Sequence, residues 1–582
     1  MSGGQLAAYT VLLHIRRRSL KSLRISMALC AAGLATAGAG RAQTGSAGIE
    51  AVKSAEMTID PERIRAHVKF LADDLLEGRG PGLRGSELAA KYIATQLALD
   101  GLRPGGDNGT YFQQVKFVGM KAIPAKTSMA LVPKSGSAIA LVYGDDYTVS
   151  NRQLTPVEDI NAPIVFVGYG VDAPEFGWND FAGVDVKGKV ILCIVGDPPS
   201  DDPKFFGGKA LTYYGRWTYK FEEAARKGAI GALIIHRTDL ASYGWDVVKN
   251  SNTSEKTYLA EDKNPQLKAA SWIQLEVARR LFAASGMNVE TEMDAAGKRG
   301  FKAVELPVRL KAHVESTVRP FESPNVIGIL PGTQTGRNQA VLYTAHFDHL
   351  GFVPGKSGDN VYNGAADNGT GCGILLEEAR AWSQMSAQPP GGSGVRPPHD
   401  VIFASVTAEE QGLLGSEYLG QHPPVPAGQI TLDINYDMVL PVGVPKEINV
   451  NGAQRTTFYP EVEATAKRFG LAIVPDPRPE AGSYYRSDHF SLSRVGIPAF
   501  SIDLGSLYEG HDRAWGEAQE RDYNEHRYHN FSDNYTEDMD FRGDAKLAKL
   551  GMELGWEALT APKAIQWKAG DEFESARKAS LR

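Results

Sequence analysis

The stretch "AVLYTAHFDHLGF", residues 340–352, decides the fold because an apolar run leads directly into His346, Asp348 and His349. A run of this kind without polar alternation is typical of a strand that is buried on both faces of a sheet. An imidazole and a carboxylate that follow such a strand lie where the strand ends. The question is therefore what an α/β protein holds at that edge of its sheet.

The chain on either side of this stretch alternates between apolar runs and segments with helical periodicity. The order predicts an α/β domain whose largely parallel sheet is covered by helices on both faces. Ligands of such sheets bind at the carboxyl ends of the strands. Strands are predicted in "AVLYTA", "VIFASVT", "ITLDINYDMV" and "IPAFSIDL", and helices in "GILLEEARAWSQM", "GLLGSEYLGQ" and "YPEVEATAKRF".

Further upstream, "DPERIRAHVKFLADDLLEGR" and "GSELAAKYIATQLALDGL" predict two amphipathic helices, the first with Asp60 as its N-cap and Pro61 at its first position. Between about residues 161 and 237 the chain has short apolar runs between glycine turns. These runs predict further strands in a separate part of the molecule.

Composition limits the classes of function. The chain has 582 residues, enough for two to four domains, with 42% hydrophobic and 23% charged residues. Its net charge of −7 offers no basic surface for a phosphate backbone, so nucleic-acid binding is not expected. There are only three cysteines, Cys30, Cys193 and Cys372, so a disulfide scaffold is not expected and any metal site must use histidines and carboxylates.

The N-terminus has the order of a secretory signal peptide. The basic segment "HIRRRSLKSLR" precedes the small, apolar "ISMALCAAGLATAGAG", and cleavage is expected near Ala42. Residues 1–42 are therefore predicted to be removed, which places the protein in the periplasm or outside the cell without stable membrane insertion. A membrane anchor is the alternative, although the apolar stretch is short and rich in glycine.

Carboxylates and a histidine recur where the predicted strands end or turn into helices. His346 and Asp348 follow the first strand; the others are Asp367 in "NGAADNGTG", Glu409 and Glu410 after "VIFASVTA", and Asp437 after "ITLDINY". Each alone has a structural interpretation, such as a helix cap or a solvated pair. Together they converge on one edge of one sheet, where unneutralised carboxylates would repel one another. A divalent metal ion would neutralise them; nitrogen and oxygen ligands favour zinc, and more than three candidate ligands favour a two-metal site.

The ordered motifs "AHFDHLG", "GAADNGTG", "TAEEQGLLGS", "INYDMV" and "YRSDHFSL" resemble the co-catalytic di-zinc exopeptidases of the bacterial leucyl aminopeptidase and glutamate carboxypeptidase type. The resemblance covers residues 60–155 and 320–560 and implies a three-layer α/β/α core with a mixed, largely parallel sheet. Residues 156–300 resemble an inserted, β-rich protease-associated domain. The resulting division is signal peptide 1–42, N-terminal part of the peptidase domain 43–155, insert 156–300 and main zinc-peptidase domain 301–582.

The resemblance also implies how two zinc ions per chain would be held. Asp367 resembles the carboxylate that bridges both ions, and "RYHNFSDNY" resembles the motif of the final ligand. His349 is expected only at the rim of the site. The implied ligand set is His346, Asp367, Glu410, Asp437 and His529.

Further roles are implied for residues that do not bind metal. Glu409 resembles the general base, and Asp348 resembles a carboxylate that orients a ligand histidine. Tyr528 would place its hydroxyl near the scissile carbonyl. His489 and Arg486 are candidates for the substrate side, and an arginine there could favour a carboxylate.

The function implied by the resemblance is hydrolysis of peptide substrates, with release of the N-terminal residue. A carboxypeptidase or dipeptidase acting at the same site remains an alternative. A glutaminyl cyclase with a single zinc and a receptor-like protein without activity are rivals from other classes. The oligomeric state is not indicated by the sequence.

Overall fold

The computed structural model describes residues 48–241, 243–334, 339–387 and 394–582. The predicted signal peptide, residues 1–42, lies outside the described residues. Within them, no helix is both long enough and apolar enough to cross a membrane.

The core of the molecule is a mixed sheet built around the strand Ala340–His346. Four neighbouring strands are parallel, in the order Ala499–Ser501, Ile430–Asn435, Ala340–His346 and Asp400–Val406. Two antiparallel strands, Val304–Leu330 and Phe112–Ala122, extend the sheet beyond Asp400–Val406. The sheet is therefore mixed and largely parallel in its centre, which confirms the predicted fold class.

The parallel register brings the carboxyl ends of three strands to one edge. His346 lies opposite Val406, and Thr344 lies opposite Asn435. The loops that leave these strands start side by side, so the residues that follow them are held together by the backbone hydrogen bonds of the sheet.

Helices cover both faces of this sheet and give it three layers. Val341, Tyr343 and Ala345 point to one face, where they pack in a core with the helices Pro61–Leu71, Gly371–Ser386 and Arg542–Thr560. On the other face, Leu342 packs with Leu419 and Leu492, from the helices Leu414–Gln421 and His489–Arg494. Every second residue of the strand faces each layer, which explains the unbroken apolar run in the sequence.

The strand Val304–Leu330 joins the core to the rest of the molecule. Its C-terminal part pairs with Asp400–Val406, and its N-terminal part pairs with Val157–Phe166 in a second sheet. This 27-residue strand contains Pro307, Pro320 and Pro324, with an irregularity between Leu306 and Arg309. Prolines donate no ladder hydrogen bond, so a strand through these positions was not expected from the sequence.

The second sheet contains parallel strands with their own hydrophobic cores. Val157–Phe166, Val190–Ile194, Gly231–His236 and Ala269–Gln274 lie side by side in that order. Helices Trp217–Arg226 and Leu275–Ala284 pack against them. We refer to residues 156–300 as the insert; its identity as a protease-associated domain and the domain boundaries stay predictions.

The described residues contain further α-helices and strands, besides short 3₁₀ and π-helical segments. The other helices are Arg84–Leu99, Thr238–Ala241, Trp245–Thr253, Val289–Ala296, Tyr459–Arg468, Arg513–Asp522 and Glu574–Ser580. The other strands are Arg103–Pro104, Ser128–Pro133, Ile139–Leu141, Tyr147–Ser150, Asp172–Ala173, Trp178–Asn179, Lys256–Leu259, Glu447–Asn449, Ala472–Ile473 and Asp503–Leu504.

Candidate metal centre

The first half of the site lies directly beyond the strand Ala340–His346. His346 Nε2 is 3.1 Å from Asp437 Oδ1 and 3.3 Å from Asp367 Oδ1. His346 is buried, and the side chain of Asp437 is 18% exposed. The imidazole therefore faces two carboxylates from different loops at one point near the surface of the cleft.

The second half of the site shares Asp367 with the first. His529 Nε2 is 3.3 Å from Asp367 Oδ2 and 3.0 Å from Glu410 Oε2. The two oxygens of Asp367 thus face two different histidines, one in each half. This is the arrangement that a bridging carboxylate requires.

His349 contacts Glu410 from the opposite side to His529. Its Nδ1 is 2.6 Å from Glu410 Oε1, and its ring is fully buried. The expectation that His349 lies at the rim is therefore wrong. The chain turns inward after Asp348 because the buried guanidinium of Arg79 donates to the carbonyl of Phe347, at 2.7 Å, and so holds this loop against the core.

The loop after Asp400–Val406 directs both adjacent glutamates into the cleft. Ala408 has a positive φ of 56°, which reverses the chain immediately before Glu409. The backbone N–H of Glu409 donates to Asp348 Oδ1 at 3.1 Å, which fixes the loop to the neighbouring strand end. Glu409 Oε2 is 4.0 Å from His346 Nε2, so it lies beside the first half of the site while Glu410 lies in the second.

Hydrogen bonds from the surrounding loops orient the acidic groups. Ser487 donates to Asp437 Oδ2 at 2.6 Å. The Asp533 carboxylate accepts from the backbone N–H groups of Ala366 and Asp367, each at 3.1 Å, and so fixes the turn that carries Asp367. Contacts of this kind fix the direction of metal ligands in proteins.

The loop carrying Asp367 also depends on a glycine. Gly364 has a φ of +57°, and a Cβ there would lie 2.7 Å from His349 Cδ2 and 2.8 Å from Arg79 Nη2. Only glycine allows this loop, His349 and Arg79 to approach so closely.

The charges of the site favour the protonated form of both histidines. Burial alone would lower the pKa of His346, but Asp437 and the other nearby carboxylates raise it well above its usual range. Burial also opposes protonation of His529, yet hydrogen bonds with Asp367 and Glu410 raise its pKa to about 10. The site therefore has a strongly negative potential that requires cations, either protons or metal ions.

The donor atoms fit zinc in both chemistry and spacing. Zinc–nitrogen and zinc–oxygen bonds of about 2.0–2.1 Å in a tetrahedron place neighbouring ligand atoms about 3.3 Å apart. The separations of 3.1 and 3.3 Å in the first half and of 3.0 and 3.3 Å in the second agree with that spacing. His349 also lies within reach of a cation at Asp367 and Glu410, but its 2.6 Å contact is that of a direct hydrogen bond.

Two other predicted residues lie beside the centre. The Tyr528 ring stacks on His529 with a centroid distance of 3.9 Å, and its hydroxyl lies 3.4 Å from Arg486 Nη2. Tyr528, His529, Arg486 and Glu409 line one cavity. The structure thus brings Tyr528 and Arg486 to the site.

His489 is not brought to this cavity. It is only 1% exposed, and its ring packs against Tyr484 at a centroid distance of 4.7 Å. The structure therefore contradicts its placement on the substrate side, because the helix that starts at His489 points the ring into the interior.

Three groups that matter here were not assigned from the sequence: Arg79, Asp533 and the inward-facing His349. Asp533 had a detectable signal, because it stands four residues after His529 in "YHNFSD". Arg79 had none, since its role depends on loops from three distant parts of the chain. It donates to the carbonyls of Phe347 and Asn363 at 2.7 and 2.6 Å.

Comparisons with known proteins agree with this site. Residues 325–550 match the sequence profile of "Peptidase family M28". The leupeptin-inactivating enzyme 1 of Streptomyces exfoliatus is 29% identical over 234 residues, which cover 38% of this chain and 45% of that protein. Aminopeptidase YwaD of Bacillus subtilis is 26% identical over 286 residues, which cover 47% of this chain and 53% of that protein. The chain thus spans about half the length of these curated relatives.

Among solved structures, the aminopeptidase from Aneurinibacillus sp. strain AM-1 aligns with a TM-score of 0.45 at 17% identity, covering 88% of this chain and 96% of that one. Residues 325–550, which match the sequence profile, contain the four parallel strands of the core sheet, Asp367, both glutamates, Asp437 and His529. In sequence, residues 325–550 of this chain are therefore similar to peptidase family M28.

Proposed function

We propose that this chain is a zinc-dependent exopeptidase that holds two zinc ions and releases N-terminal residues from peptides. The observation that carries the proposal is the position of Asp367, whose two oxygens each face a different histidine. The proposed ligands are His346 and Asp437 for one ion, Glu410 and His529 for the other, and Asp367 for both.

The chemistry would be hydrolysis by a metal-activated water. When bound, two zinc ions would polarise the scissile carbonyl and lower the pKa of a bound water. Glu409 would take the proton of that water and pass it to the leaving amine. Burial raises the pKa of Glu409 well above its usual value, although the charge of His346 acts in the opposite direction, so a proton on this carboxylate is tolerated.

Tyr528 would stabilise the negative charge that develops on the carbonyl oxygen. Its hydroxyl faces the cavity beside Arg486, and burial raises its pKa, so the phenol remains a hydrogen-bond donor at neutral pH. Asp348 would act through its neighbours, since it accepts from the backbone of Glu409 and lies beside His346.

A panel of blocked peptides tests the direction of cleavage. An aminopeptidase cleaves Leu-Gly-Gly and Leu-Gly-Gly-amide but not N-acetyl-Leu-Gly-Gly. A carboxypeptidase instead cleaves the N-acetylated peptide and spares the amide, and a dipeptidase cleaves only dipeptides. Conversion of Gln-peptides to pyroglutamyl products would favour the cyclase, and no turnover of any peptide would favour the receptor-like alternative.

We also propose that the protein is exported after removal of residues 1–42 and that the insert controls access to the site. N-terminal sequencing of protein from the native host tests export, since an intact Met1 in the cytoplasm would contradict it. Deletion of the insert is expected to reduce cleavage of long peptides more than cleavage of a small aminoacyl substrate.

A further inference from the structure

The insert and the core meet at a cavity that opens onto the metal centre. Its volume is about 460 Å³. Arg216 and Trp217 line it from the insert, while Arg486, Glu410 and His529 line it from the core. A substrate at the metal centre would therefore contact side chains of both parts.

Arg216 enters this cavity without a partner for its charge. Its side chain forms no hydrogen bond or ion pair with any residue that the structure describes, and its Nε is buried without an acceptor. Burial, and then the charge of Arg486, lowers the pKa of Arg216 to about 10, so the guanidinium remains charged at neutral pH. Arg216 is partly buried, and an unpaired cation held next to a second cation is unfavourable unless an anion binds there.

Two other arginines of the same cavity, Arg226 and Arg494, are already neutralised. Arg226 forms ion pairs with Glu222 and Glu223, and Arg494 forms an ion pair with Glu222 at 3.0 Å. Acidic residues thus accompany Arg226 and Arg494 but not Arg216. Arg152 of the same cavity also lacks an ion pair, but its guanidinium lies over the rings of Phe221 and Tyr258, whereas Arg216 has a second cation, Arg486, beside it.

The position next to the metal centre indicates which anion could bind. Arg486 Nη2 is 3.4 Å from Tyr528 Oη, and Tyr528 stacks on the ligand candidate His529. One residue of an extended substrate peptide spans about 3.3–3.6 Å. A carboxylate held between Arg216 and Arg486 therefore belongs to a substrate residue close to the scissile bond. The planar fork of a guanidinium matches the two oxygens of a carboxylate.

We propose that Arg216 and Arg486 together bind a carboxylate of the peptide substrate near the scissile bond. The carboxylate comes either from the C-terminus of a short peptide or from an aspartate or glutamate side chain. This inference rests on the proposed peptidase function and narrows its substrate class to acidic or short, unblocked peptides. Arg216 makes the insert a part of the substrate site.

Matched substrates separate the two sources. Leu-Gly-Gly is compared with Leu-Gly-Gly-amide to test the C-terminal carboxylate. Two pairs test side-chain carboxylates: Leu-Asp-amide against Leu-Asn-amide, and Glu-p-nitroanilide against Gln-p-nitroanilide. We expect kcat/KM to favour the carboxylate in at least one pair by about 10-fold to 100-fold, the range of a charged hydrogen bond. Arg216→Gln and Arg486→Gln should each reduce that preference below about 3-fold, mainly by raising KM for the carboxylate member of the pair.

Arg226→Gln is the matched control. It removes an arginine of the same cavity whose charge is already paired, so the preference should persist. Thermal unfolding checks folding. Arg216→Gln should not lower Tm, because it removes an unpaired and partly buried charge, and Arg486→Gln alters an exposed side chain. Equal rates for both members of all three pairs, or a preference that survives in both variants, would refute the proposal.

A binding measurement separates this inference from the proposed function. Calorimetry on the zinc-containing Glu409→Gln protein, in which turnover is slow, compares binding of the same acid and amide peptides. Tighter binding of a carboxylate form, lost in Arg216→Gln, would support the inference even if no peptide is cleaved. Equal binding of both forms would contradict the inference even if the enzyme cleaves neutral peptides.

Discussion

Replacing Glu409 by glutamine separates the two adjacent glutamates most sharply. Glutamine keeps the shape of the side chain but cannot accept the proton of a water molecule. The loop should keep its position, because Glu409 is fixed through its backbone N–H to Asp348 Oδ1 at 3.1 Å and not through its carboxylate. Glu409 Oε2 is 4.0 Å from His346 Nε2, so it is not placed as a metal donor.

The expected effect follows from the role of a general base. Such a group contributes about 10²–10⁴-fold to rate, which corresponds to about 3–5 kcal/mol of activation free energy. We therefore expect Glu409→Gln to lower kcat by at least about 10², with KM little altered and zinc content unchanged.

Glu410→Gln is the matched comparison. Glu410 contacts His349 Nδ1 at 2.6 Å and His529 Nε2 at 3.0 Å, so its loss should weaken one zinc site and leave about one tightly held ion. The assay is steady-state hydrolysis of Leu-p-nitroanilide, together with elemental analysis of each variant. Loss of zinc from the Glu409 variant and its retention in the Glu410 variant would reverse the two roles. Full activity and two zinc ions in both would show that the glutamates are a solvated pair.

Four further substitutions test other parts of the structure. His529→Gln should lower the zinc content to about one ion per chain. His349→Gln should keep two ions with zinc affinity reduced about 10-fold to 100-fold, because His349 orients Glu410. Equal zinc loss in both variants would make His349 a ligand. Tyr528→Phe should lower kcat by roughly 10-fold to 100-fold without loss of zinc, and an unchanged kcat would exclude the hydroxyl from the reaction. Burial and then the charge of Glu553 raise the pKa of Glu56 from 4.5 to about 7. Between these pH values the folded state keeps the Glu56 proton that the unfolded state loses, so folding stability falls as pH rises through 7. Glu56→Gln should therefore match the parent in denaturant unfolding at pH 4.5 and exceed it at pH 8 by up to about 3 kcal/mol, and equal stability at pH 8 would refute the buried charge.

The elements around the metal centre could be predicted because local patterns and tertiary structure agree there. The run at residues 340–345 is apolar except for Thr344, whose hydroxyl donates to Asp433 and Asn435, and both faces of that strand are covered by helices. Asp60 accepts from the backbone N–H of Glu62, as its N-cap position predicts. Residues that follow parallel strands must converge on one edge, so His346, Glu409 and Asp437 could be grouped without a structure.

Residues whose position depends on long-range contacts could not be predicted. His349 follows Asp348 by one residue, yet its burial depends on Arg79 and Gly364 from other loops. His489 stands next to Asp488 in "SDHF", but its ring turns inward at a helix start and packs against Tyr484. Arg216 is far from the metal centre in sequence and reaches it only because the insert packs against the core.

The number of zinc ions per chain tests the central claim most directly. Protein purified without chelator is analysed for zinc by elemental mass spectrometry, alongside Asp367→Asn. The account predicts two zinc ions per chain in the parent and a loss from both halves of the site in the variant, because each Asp367 oxygen faces a different histidine. Fully active parent protein without bound metal, or a variant that retains two tightly bound ions, would contradict it.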